Sequence, residues 1–195
     1  MLLLVSPNGG RKTALAKILA ATLFLLLTSL WFSLLDLIGF AASFQTFEGL
    51  TLPVFAIPNF AESSVNLSIF QYVLLSAALK CAGAWVIGML WLLVSMFWKN
   101  ALLPFVINFA LCMALTVSGA ACAYSNFFWT KVLNPYSLLT NRVLLGKTEF
   151  VNLGGFPVLT WQAAIWFALI AGLAIVVAIY FLSAENCHRC VRRAK

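Results

Sequence analysis

Only a handful of residues in this chain could take part in chemistry, and two of them stand where a charge is expensive. Asp36 and Lys80 each interrupt a long apolar run. A charge inside a membrane-spanning helix usually pairs with another or lines a polar path. At about 1.5 Å per residue, Lys80 falls about 16 Å along a helix that starts at Ile69. Asp36 falls near the outer end of the preceding helix, and a lysine stem can snorkel toward it. A contact between the two is therefore possible. As a functional unit it would be a substrate-path or gating pair. As a structural unit it would tie two helices together, or leave Asp36 in interfacial water.

The other candidates are weaker. Cys187-His188-Arg189-Cys190 resembles half of a metal site. Zinc takes about four ligands, and His188 is the only histidine, so a metal would need a second subunit. Juxtamembrane palmitoylation is another use for such cysteines, and a reduced cytoplasmic tail is the plainest. A Ser–His–Asp set would also have to recruit His188. The sequence offers no convergent carboxylate pair, metal-ligand cluster or phosphate-binding glycine loop. The expectation is a chain that is not an enzyme and takes no cofactor or metal. Cys81, Cys112 and Cys122 lie in apolar segments and suit small packing residues. No pair suggests a disulfide framework.

These residues are carried by an unusually apolar chain. It is 64% hydrophobic and 9% charged, with a mean hydropathy of +1.03. Soluble domains carry about 25% charged residues, so the expected solvent is the lipid bilayer. The net charge of +7 comes from basic residues flanking apolar segments. That pattern sets membrane orientation and does not indicate nucleic-acid binding. Met1 to Val5 is too short for a signal-peptide core.

A spanning helix takes about 20 residues. The charge pattern predicts four, over residues 14–40, 69–98, 101–124 and 161–183, in a single all-α membrane domain. Pro104 fits the first turn of the third. Ala164, Ala168 and Gly172 recur every fourth residue on the last, a small-residue face for helix packing. Residues 41–68 are expected to form an interfacial loop, with a weak glycosylation sequon at Asn66. Residues 125–160 are expected to form a second external loop of short interfacial or re-entrant helices. There Asn134 caps a helix with Pro135 at its first position, Leu139 and Val143 share a face, and Gly146 closes it. Gly154-Gly155 and Pro157 supply a further turn.

Four spans place both termini on one side, with Arg11, Lys12, Lys17, Lys99, Arg189, Arg192, Arg193 and Lys195. The other side keeps Lys131, Arg142 and Lys147. The excess predicts a plasma-membrane protein with both termini cytoplasmic.

Two stretches resemble the type-2 ABC exporter permeases. Leu2-Leu3-Leu4-Val5-Ser6-Pro7-Asn8-Gly9-Gly10-Arg11-Lys12-Thr13-Ala14-Leu15-Ala16-Lys17 looks like the cytoplasmic segment that leads into a transmembrane helix of that family. Asn134-Pro135-Tyr136-Ser137-Leu138-Leu139, with Gly154-Gly155-Phe156-Pro157-Val158, looks like the external re-entrant region before its last helix. The family has six helices per permease, and the likeness covers its C-terminal four-helix portion. The resemblance implies a transmembrane subunit that exports a peptide, drug or lipid-like substrate. It would work with a separate ATP-binding cassette subunit, contacted through Ser6, Pro7, Arg11, Lys12 and Lys17, and with a second permease chain, like or unlike. The alternative is a small multi-pass assembly or regulatory subunit.

Overall fold

A computed structural model describes residues 9–44, 48–57, 60, 67–98, 102–123, 128–140 and 142–193. Ser6, Pro7, Asn66 and Lys99, named above, lie outside the described residues. Four long helices dominate: α1 (Gly9–Phe44), α2 (Ile69–Ser95), α3 (Leu102–Ala123) and α7 (Thr160–Arg193). Between α3 and α7 stand α4 (Phe128–Leu133), α5 (Pro135–Thr140), α6 (Arg142–Leu145) and the strands β1 (Phe150–Leu153) and β2 (Phe156–Leu159). Within the long helices, Lys12–Gly39, Ile69–Ser95, Leu102–Ala121 and Thr160–Ser183 are each long and apolar enough to cross a bilayer.

The helix bounds differ from expectation in informative ways. Gly9 and Gly10, expected as turn formers, begin α1. The chain after Ser183, expected as a charged tail, stays helical to Arg193. At about 1.5 Å per residue, α1 and α7 each run to about 50 Å against a hydrocarbon core of about 30 Å. Both overshoot because few helix breakers interrupt them; a change in polarity does not by itself end a helix. Conversely, α2 stops at Ser95 rather than residue 98, where Met96 and Phe97 bond back to Leu93 and Val94 in a closing turn. The expected loop over 41–68 contains the last turn of α1 and two short 3-10 helices, Glu48–Thr51 and Val54–Ala56. Val54 is buried there. Val54 N–H donates to the Leu67 carbonyl, and Ile69 N–H donates to that of Leu52, both at 2.9 Å. The loop therefore folds back on the start of α2.

That start is a capping box. Ser68 Oγ accepts from the Gln71 amide at 3.3 Å, and Gln71 Oε1 accepts from the Ser68 amide at 3.1 Å. Two otherwise orphaned donors are thus satisfied reciprocally. Ser68→Ala is expected to lower stability by about 1 kcal/mol, read as a shifted unfolding midpoint in detergent. An unchanged midpoint would remove the cap from the energetics of this helix.

An all-α fold is corrected by the hairpin. β1 and β2 pair antiparallel, with Phe150 opposite Leu159 and Leu153 opposite Phe156. Gly154 and Gly155 have φ of 63° and 99°, the signs a two-residue type I′ turn requires. The Asn152 side chain accepts from the Gly155 amide at 2.9 Å. The glycine pair was expected to turn the chain, but the strands on either side were too short and too mixed to stand out. Asn134 and Pro135 behave as expected. Asn134 Oδ1 accepts from the Tyr136 amide at 3.0 Å, and Pro135 opens α5. Of the helix expected from there to Gly146, α5 and α6 cover residues 135–140 and 142–145, and residue 141 lies outside the described residues.

Helices α1, α2 and α7 pack on one another, and α3 lies against α2 at the edge. Leu79 and Val86 of α2, Leu138 of α5 and Ala164 and Ala168 of α7 form the main core. Ile18, Met89 and Ile179 form a second cluster away from the segment α4 to β2, the cap. Val132, Val151 and Ala163 form a third between the cap and α7. Long apolar side chains cover the outside, among them Phe24, Leu27, Leu102, Phe105, Trp166 and Phe181.

Candidate functional site

Lys80 donates from Nζ to Asp36 Oδ2, joining α2 to α1. Helical side chains lean toward their own N-terminus. Lys80 therefore reaches toward the start of α2, which is where the end of α1 carries Asp36. The carboxylate is 57% exposed and the lysine side chain 30%. The pair is neither sealed in the core nor free on the surface.

It borders a cleft of about 190 Å³ between α1, α2 and α5. Ser33 and Asp36 line it from α1, Tyr72, Ser76 and Lys80 from α2, and Thr140 from α5. The Ser33 hydroxyl donates to the Ser29 carbonyl at 2.9 Å. The Thr140 hydroxyl donates to carbonyls of the previous turn at 3.4 Å. Both oxygens keep accepting capacity. Phe60 packs edge-on against Tyr72, with ring centroids 4.9 Å apart. Among the described residues the cleft holds one anion and one cation, with Val73 and Ala77 lining it beside the polar neutral groups. It can take up a small polar group without itself becoming charged.

Tyr72, Ser76, Thr140 and Ser33 were not singled out in the sequence. Tyr72, Ser76 and Lys80 lie four residues apart on α2, and Ser33 and Asp36 three apart on α1. Such spacings put side chains on one helical face, a signal within the apolar runs that could have marked the cleft. Thr140 could not have been found this way, because only the fold brings α5 over α2.

The small-residue face of α7 meets α2. Ala164 and Ala168 are buried in the main core. A Cβ on Gly172 would lie 2.2 Å from the Trp85 ring, so that ring lies against bare backbone. Its indole N–H donates to Thr22 Oγ1 of α1 at 3.2 Å. Small residues allow the close approach, and a polar contact fixes it.

A second ion pair, not anticipated, holds the cap together. Lys131 Nζ donates to both carboxylate oxygens of Glu149, at 2.7 and 2.9 Å. The Glu149 carbonyl accepts from the Thr160 amide at 3.0 Å and its hydroxyl at 2.7 Å, at the first turn of α7. Ser137 donates to the carbonyls of Lys131 and Asn134. Asn134 Nδ2 donates to the Leu115 carbonyl and Ser118 Oγ of α3, at 3.1 and 3.0 Å. The cap is thus bolted to α3 on one side and α7 on the other.

Lys12 and Lys17 are exposed on the first turns of α1. The side chains of Arg11 and of Cys187 to Cys190 lie outside the described residues. Among the described residues, no group of three or more His, Cys, Asp or Glu side chains could hold a metal. Compared with protein-family models, curated proteins and solved structures, the chain matches none.

Proposed function

We propose that this chain is a multi-pass integral protein of the plasma membrane with both termini cytoplasmic, and that it serves as the permease subunit of an ATP-driven exporter. The single observation that carries the transport reading is the ion-paired cleft between two long apolar helices, α1 and α2, and the short helix α5. Charge is retained at membrane depth where it serves a path or a site. Phe24, Leu27, Phe105 and Trp166 stand fully outside the core, which suits lipid contact. Eight flanking cations on one side against three on the other support the orientation.

The exporter class itself draws on the likeness of the stretches around Ser6 to Lys17 and Asn134 to Leu139 to type-2 ABC permeases. A separate ATP-binding cassette subunit would engage the cytoplasmic end of α1, where Lys12 and Lys17 are accessible. A second permease chain would complete the pathway. A different role, as an assembly or regulatory subunit, draws on α3. Its face of Leu102, Phe105, Phe109 and Val117 is uncovered and could receive a partner helix.

Copurification tests the first role. A tagged chain in mild detergent is expected to bring down an ATPase, and its absence would leave the assembly role in place. Asp36→Asn keeps the size but weakens a charge-assisted bond worth about 1.5–3 kcal/mol. Export is expected to fall roughly tenfold, the effect of about 1.4 kcal/mol, with folded yield reduced much less. Equal loss of both would leave the pair a purely structural tie.

A further inference from the structure

The cleft has a chemistry narrower than transport in general. We infer that it receives a zwitterionic headgroup, an ammonium a few ångströms from a phosphate or carboxylate. This deepens the exporter reading and rests on it for the placement of the cleft in the membrane.

Charge balance is the first reason. Among the described residues the cleft contains one carboxylate and one ammonium, already bonded to each other. A ligand with a single charge would take one of them and strand the other in a medium of low dielectric. A zwitterion replaces one contact by two, its anion on Lys80 and its cation on Asp36, and strands neither. Exposure makes the exchange accessible, because the carboxylate is 57% exposed and Lys80 bonds one of its two oxygens.

The lining is the second reason. Tyr72 borders the cleft with Phe60 edge-on against it, and aromatic rings attract ammonium groups. Ser33 and Thr140 already donate to backbone carbonyls. Their oxygens are left as acceptors, a complement to the cation of the ligand.

Size and depth are the third. A volume of about 190 Å³ lies below the ~300–1,000 Å³ of pockets for drug-sized ligands. It fits a headgroup, with any apolar chain left in the surrounding hydrocarbon. Tyr72 sits in the first turn of α2, and Lys80 lies about 12 Å deeper at about 1.5 Å per residue. The site thus runs from the headgroup level inward.

The test uses the full chain in maltoside detergent and measures binding of three single-chain lipids with the same acyl group. These are lysophosphatidylcholine (zwitterionic), lysophosphatidic acid (anionic) and monoacylglycerol (neutral). The zwitterion is expected to bind at least roughly tenfold more tightly than either other lipid, one step of about 1.4 kcal/mol. Equal binding of all three overturns the inference without any variant. Asp36→Asn with Lys80→Gln keeps a neutral hydrogen-bonding pair, and it is expected to abolish the preference. A preference retained in that folded double variant also overturns the inference. Glycerophosphocholine identifies the source: competition supports a free headgroup, and failure to compete supports a bilayer amphiphile. ATPase copurification reports separately. Selective binding without an ATPase keeps the headgroup site and removes the exporter, whereas an ATPase partner without selective binding does the reverse.

Discussion

Replacing Glu149 with alanine is expected to destabilise the protein by about 3 kcal/mol. Removing one partner of a buried pair usually costs about 3–5 kcal/mol, because the other charge is left uncompensated. Lys131 meets that condition, with its side chain 8% exposed. Glu149 is 34% exposed, which places the effect at the low end of the range. Lys131 donates to both carboxylate oxygens, so no single bond can stand in for the pair. Glu149→Gln should lose less, because the amide oxygen still accepts. The double change Lys131→Met with Glu149→Leu should recover most of the loss, since apolar replacement of a buried pair is often neutral. Unfolding midpoints in detergent for the single and double variants check all three outcomes. A Glu149→Ala protein as stable as the parent would mean that Lys131 finds water or another partner.

The second large effect is expected at Gly83. A Cβ there would lie 2.9 Å from the Pro135 carbonyl oxygen and 3.0 Å from Leu138 Cβ. Neither neighbour is the free end of a side chain, so α5 itself would have to move. It is held in place by Asn134 on α3 and by Ser137 on the carbonyls of Lys131 and Asn134. Overpacking of this kind costs about 1–3 kcal/mol. Gly83→Ala should show a loss of that order even though alanine is the better helix former by about 1 kcal/mol. Gly88→Ala is the matched comparison. The three atoms nearest its Cβ would all belong to the Leu25 side chain, which can turn aside, so this variant should be near neutral or more stable. If Gly83→Ala unfolds at or above the parent midpoint, α2 and α5 are not in the tight contact described. Because α5 also brings Thr140 to the cleft, the same substitution should disturb whatever the cleft does.

Much of this architecture could be read directly from the chain. Long uncharged runs, with cations gathered at their ends, specify the four helices and their order. Pro104 in the first turn of α3, the Asn134 cap and the Gly154-Gly155 turn are local devices, and each depends on neighbours a few residues away. The depth arithmetic for Asp36 and Lys80 brought them within reach, since both positions follow from helical rise alone.

Contacts between distant segments were another matter. The pairing of Lys131 with Glu149, the Thr22–Trp85 bond and the seat of Trp85 on Gly172 join residues that periodicity does not relate. The cleft is of this kind, because α5, legible as a short helix, closes it from a place that nothing in the sequence assigns. Hydropathy and helical rise act along one chain direction, so they determine which segments are long apolar helices and how far along each helix a polar residue lies. Which helix faces which is decided by side-chain shape and by the few polar groups that must find partners away from water. Only the packed structure satisfies those demands all at once.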